Sequence, residues 1–120
     1  FGELDYWIPG FQAQSTSRPI PPMLANNVKS DADLMWLNAY KALSHQVYFG
    51  DNYEEINTAN RQSKQYQGEF KHNIFTPKAL ENGKTYYWRV DAIREGQLVK
   101  GEIWHFTVEK MNNKSKLETL

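Results

Sequence analysis

An all-β fold, an antiparallel β-sandwich of about seven strands, is what this sequence predicts. Three observations predict it. First, the stretch Leu80–Val90 opens on a turn signal at Asn82-Gly83 and then alternates. Tyr86, Trp88 and Val90 fall on one face, and Thr85, Tyr87 and Arg89 on the other. A period of two along a whole segment is the pattern of a strand buried on one side. Second, further short runs rich in aromatic and β-branched residues recur along the chain, separated by Asn, Asp, Gly and Pro. The runs suit a pleated surface and the separators turn a backbone. Third, only residues 53–59 space their apolar side chains (Tyr53, Ile56, Ala59) as a helix does.

In chain order, residues 1–18 stand apart. Phe1–Ile8 is apolar and is cut by Pro9-Gly10, and Gln12–Ser17 has linker composition. They are expected to be the end of a preceding domain plus a linker, with the sandwich spanning 19–109. Pro19–Leu24 is proline-rich, so it suits only an edge strand or an extended lead-in. Asn26-Asn27 marks a turn. Ala32–Leu37 is a short strand with Trp36 as a core anchor. Ser44–Gly50 is a strand with His45, Val47 and Phe49 on one face and Gln46 and Tyr48 on the other. A short helix over 53–59 follows, then a polar, aperiodic segment, 60–68, expected as an exposed loop. Phe70 and Asn73–Thr76 suggest a strand closed by Pro77. The strand opened by Asn82-Gly83 continues to Ile93 and turns at Arg94–Gln97. Val99–Val108 is expected as one last strand, with Trp104, Phe106 and Val108 on its inner face and Ile103, His105 and Thr107 opposite. Residues 110–120 read as a polar tail.

Composition narrows the function. Fourteen basic and fourteen acidic side chains cancel to a formal net charge of zero. Counterion displacement from nucleic acid and polybasic attachment to a membrane both need a basic excess, so neither partner is expected. There is no cysteine, which removes disulfides, thiolate nucleophiles and cysteine metal sites. No apolar run approaches the roughly 20 residues of a membrane-spanning helix. The chain opens on Phe1 rather than methionine and is read as a piece of something longer.

Leu80, Gly83, Tyr86 and Val90 stand at the offsets of the motif that fibronectin type III domains use between their last strands. Trp36 after Leu34 resembles the core tryptophan of that family's second strand. His45–Tyr48 resembles its third strand, although histidine stands where the family usually has an aromatic ring. Together with Val47–Gly50, Gly83–Asp91 and Lys100–Thr107, these segments resemble a module that recurs in large secreted bacterial polysaccharide-degrading proteins. The resemblance covers about residues 19–109. It implies a secreted, periplasmic or cell-surface accessory domain, monomeric and non-catalytic, whose partner is a neighbouring catalytic domain of the same polypeptide, a polysaccharide lyase or glycoside hydrolase. It also implies that Tyr86 buries its ring and hydrogen-bonds by its hydroxyl to backbone a few residues upstream. Phe1–Tyr6 is similar to the closing strand of right-handed parallel β-helix domains.

A catalytic site needs an acid and a base within hydrogen-bond reach of one substrate. His45, His72 and His105 are far apart in sequence, and none has a ligand partner two or four residues on. Glu54-Glu55 and Asp31/Asp33 read as solvated pairs. No catalytic residue, metal or cofactor is therefore expected. The alternative function is carbohydrate binding. Tyr48, Tyr87 and Arg89 lie on outward faces of strands that are neighbours in such a sandwich, and the two rings are expected to form a sugar-stacking platform, with Tyr53 and Tyr66 in flanking loops. A third reading is protein docking through the apolar head Phe1–Ile8.

Overall fold

Two packed sheets hold the chain, a three-stranded one in the order β1-β3-β6 and a six-stranded one in the order β2-β9-β7-β4-β5, with β8 added beside β7. They are seen in a computed structural model that describes residues 13–111. The strands are β1 (Ser17–Ile20), β2 (Ala25–Val28), β3 (Leu34–Leu37), β4 (Ser44–Gly50), β5 (Tyr66–Phe70), β6 (Ile74–Phe75), β7 (Thr85–Arg94), β8 (Gln97–Val99) and β9 (Ile103–Val108), and α1 (Tyr53–Thr58) lies between β4 and β5. The antiparallel β-sandwich stands as expected, with about two strands more. All the pairings are antiparallel except β2 with β9, which is parallel.

The inner face of β7 follows from its alternation. Tyr86, Trp88 and Val90 point into a core shared with Val47 of β4, Trp104, Phe106 and Val108 of β9, and Leu34 and Trp36 from the opposite sheet. Trp88 lies with its ring centroid 6.4 Å from Trp36 and 4.8 Å from Trp104. Burying each such aliphatic or aromatic side chain is worth about 1.5–3 kcal/mol, so this cluster is the main source of stability. In the turn before β7, Gly83 sits at φ +78 and its N–H donates to the carbonyls of Val108 and Glu109, each at 3.1 Å. The Tyr86 hydroxyl accepts the N–H of Glu81 at 3.0 Å, the bond to upstream backbone that the corner position implies.

Four segments depart from expectation. Asn26-Asn27 is not a free turn but lies inside β2. Asn27 takes φ 58, and the register to β9 slips between Ala25↔Phe106 and Val28↔Val108. Asparagine tolerates this left-handed geometry, so the turn signal becomes a bulge. The segment 60–68 is not all loop, because Tyr66, Gln67 and Gly68 begin β5, with Tyr66 and Gly68 paired to β4 and Gln67 at a slip in register. The single strand expected over Val99–Val108 is two. At the break, a Cβ on Gly101 would stand 2.1 Å from the Val90 carbonyl oxygen, a closeness only glycine allows. Thr16 donates its hydroxyl to that same oxygen at 2.8 Å and is itself buried. The sandwich thus takes in Thr16 and β1 from Ser17, within the stretch read as linker. The apolar head Phe1–Ile8 and the tail beyond Met111 lie outside the described residues.

Candidate functional site

The outer face of the six-stranded sheet gathers the polar side chains that β4 and β7 direct away from the core. Gln46 and Tyr48 alternate outward on β4, Arg89 and Asp91 on β7, with Gln46 opposite Asp91 and Tyr48 opposite Arg89. Over them lies α1. Its start is set by Asn52, extended at φ −139, whose side-chain oxygen accepts the N–H of Glu55 at 3.0 Å. That satisfies one of the donors a helix leaves unpaired at its first turn. Ile56 is the buried residue of the helix, and it packs with Tyr48 and Ala59 against Tyr66, Tyr87 and Ile103.

At the other end of α1 the free carbonyls need donors, and Arg89 supplies them. Its guanidinium donates through Nη1 to the Ile56 and Asn57 carbonyls and through Nη2 to the Ala59 carbonyl at 3.1 Å. The same group grips Asp91 on two edges, Nε to Oδ1 at 2.8 Å and Nη2 to Oδ2 at 3.0 Å. The Gly101 N–H donates to Asp91 Oδ1 at 2.9 Å. The Tyr48 ring completes the enclosure, with the Arg89 Cζ 4.2 Å from its centroid. A positive charge over an aromatic face is attractive, most of all where water is excluded.

These contacts change the expected sugar platform. Tyr48 keeps 2% of its surface exposed and Arg89 3%, because the helix and the segment after it cover both. Their faces are not open for a sugar to stack on. Tyr87 is half-buried, with its ring 6.1 Å and edge-on from Tyr53 and 5.4 Å from His105. Tyr66 belongs to β5, its ring 5.4 Å from that of Tyr48, and Tyr53 is the first residue of α1 and half-exposed. Burial and the Asp91 carboxylate push the Tyr48 phenol up, against the pull of Arg89, so it stays protonated at neutral pH.

The histidines are dispersed. His45 is buried, edge-on to Trp36 at 5.7 Å, and among the described residues neither of its ring nitrogens has a hydrogen-bond partner. Burial pushes its pKa down, so the ring sits neutral among aromatics. His105 is half-buried on the outer face beside Tyr87, and His72 is exposed beside Phe70. Among the described residues, no three His, Asp or Glu side chains are grouped to hold a metal ion.

A feature that the strand patterns do not announce lies beside the Arg89 cluster. The β7–β8 hairpin and the segment following α1 enclose an open cleft of about 440 Å³ lined by Gln46, Tyr48, Arg61, Arg94, Gln97 and Leu98 among others. Its floor comes from β4 and its walls from segments far apart in sequence, so only the tertiary fold assembles it. In comparisons with known proteins, no family model matches the chain, and neither a curated protein nor a solved structure matches it. The fold class is thus an antiparallel β-sandwich with a helix-covered outer face.

Proposed function

We propose that this chain is a fibronectin type III-like module that serves as a non-catalytic spacer or docking domain, C-terminal in a secreted, periplasmic or cell-surface bacterial carbohydrate-active enzyme. The observation that carries this reading is the use made of the buried charges. Arg89 and Asp91, the buried ion pair among the described residues, close the end of a helix and fasten Gly101. A catalytic pair faces a cleft and a substrate; this one faces backbone carbonyls. The strand order, with β3 between β1 and β6 and with β7 between β9 and β4, is also that of an Ig-like sandwich. The corner bond of Tyr86 supports the same reading.

The test is an assay of the chain against a panel of neutral and acidic polysaccharides, following reducing ends and unsaturated products. No release above the blank is expected, and turnover of any member overturns the non-catalytic reading. The accessory role is tested by the intact mass of the native gene product, expected to be several times the 14.1 kDa of this chain.

Carbohydrate binding remains the second reading, favoured by the cleft rather than by the Tyr48–Tyr87–Arg89 platform.

A further inference from the structure

The cleft beside the Arg89 cluster has the composition of a ligand site. Its floor is Gln46, which keeps only 5% of its surface exposed and whose side-chain amide has no hydrogen-bond partner among the described residues. Its amide atoms still reach solvent, so a polar side chain held there in a fixed strand presents both a donor and an acceptor to the cleft. Tyr48, also on the floor, has its ring fixed against Arg89 and a hydroxyl without a protein partner among the described residues.

The walls supply charge. Arg61 makes no ion pair among the described residues, and Arg94 donates to the Gln14 side chain and lies near the Tyr40 ring, again without a carboxylate. Among the described residues, no carboxylate lines the cleft. The two that flank Gln46 across the strands are already engaged, Asp91 by Arg89 and Glu69 by the Ser44 hydroxyl at 2.8 Å. Leu98, 57% exposed on the hairpin, gives an apolar edge and Gln97 a further amide.

We propose that this cleft binds a hydroxylated carboxylate, the chemistry of a uronic acid residue. The Arg61 guanidinium takes the carboxylate, the Gln46 amide and Tyr48 hydroxyl take ring hydroxyls, and Leu98 lies against the C–H face, while Arg94, its guanidinium held by Gln14 and the Tyr40 ring outside the cleft, adds positive charge at the rim. Guanidinium is the side-chain group best matched to a carboxylate. The amides explain why a hydroxylated anion is favoured over a simple one, because ring hydroxyls add hydrogen bonds to the Gln46 amide and Tyr48 hydroxyl that a simple anion cannot make. The cleft volume lies in the range of small-molecule sites. The proposal stands on this geometry alone and does not rest on the spacer reading: catalytic turnover would refute that reading and leave this site intact.

The experiment is a titration of the 120-residue chain, followed by amide chemical shifts, with galacturonate, glucuronate, galactose and acetate as separate probes. At least one uronate is expected to bind saturably, with a Kd on the order of millimolar for a single sugar, and to move the amides of Gly96, Gln97 and Leu98. Galactose and acetate should each bind at least about tenfold more weakly, a factor of ten being what one lost charged or buried polar contact removes. Arg61→Ala, at an exposed position, should weaken the uronate about tenfold with the spectrum otherwise unchanged, whereas Lys78→Ala, outside the cleft, should leave it as it was. Gln46→Leu should weaken the sugar without weakening acetate. The proposal is overturned by no saturable shift with either uronate, by shifts that map away from the hairpin, by equal affinity for galactose or acetate, or by an Arg61→Ala chain that binds as before.

Discussion

The two faces of β7 solve the same problem by opposite means. Inward, Tyr86, Trp88 and Val90 meet apolar side chains from both sheets and are held mainly by burial, with one directed bond at the Tyr86 hydroxyl. Outward, Arg89 and Asp91 are nearly as deeply buried, yet they are held by directed bonds to one another, to three carbonyls at the end of α1 and to the Gly101 N–H. An apolar core tolerates approximate partners of the right volume. A buried ion pair tolerates only its own, since removing one member strands the other. The outer face is therefore the more brittle of the two, and the apolar face the more stabilising.

The largest effect should come from breaking the outer face at its centre. Arg89→Ala should cost about 3–5 kcal/mol, because Asp91 and the helix carbonyls lose their donor together. Replacing the pair at once, Arg89→Met with Asp91→Leu, should recover part of that loss in denaturant midpoint. A double variant as unstable as the single one would show that the pair itself is not the cause. On the inner face, Tyr86→Phe removes the acceptor of the Glu81 N–H and should cost about 1–3 kcal/mol. Tyr87→Phe, from the half-buried outer side, should cost less, and equal midpoints would contradict the corner role of Tyr86.

Next in size is the acid response of His45. Its folded pKa lies below the ordinary 6.5 because burial disfavours the charged ring. As pH falls past 6.5 the unfolded chain takes the proton first, so stability is complete above that value and declines below it. The decline is at most about 1.4 kcal/mol per pH unit until the lowered pKa is reached. His45→Phe should flatten urea midpoints between neutral and mildly acidic pH; an unchanged slope would assign the loss to other groups. The smallest effect is at the start of α1, where Asn52→Ala should cost about 1 kcal/mol, read as a small drop in melting temperature with the inner core intact.

The inner face is legible in the sequence because alternation states directly which side chains turn inward. Tyr86, Trp88 and Val90 fall where their period puts them, as do Trp104, Phe106 and Val108. Alternation cannot say whether the outward side is wet. Tyr48 and Arg89 do point outward, and they are buried because α1, from another part of the chain, lies across them. The signs of this were local but faint: opposite charges two apart at Arg89 and Asp91, and an apolar Ile56 in a helix too short to stand by itself. Polarity also hid β5, since Tyr66 and Phe70 sit among charged and amide residues. The break at Gly101 was hidden because it depends on how close the Val90 carbonyl comes, a fact about space rather than about pattern.

The parallel pairing of β2 with β9 has a mechanical consequence. Leu24 donates its N–H to the His105 carbonyl at 3.1 Å and Glu109 donates to the Val28 carbonyl at 2.8 Å, so the early and late parts of the chain lie side by side and run the same way. Tension applied from the N-terminal side of β2 and the C-terminal side of β9 pulls the two strands past each other lengthwise. The rungs between them are then loaded together rather than one after another. A stretched chain of this kind resists up to one threshold force and then yields abruptly.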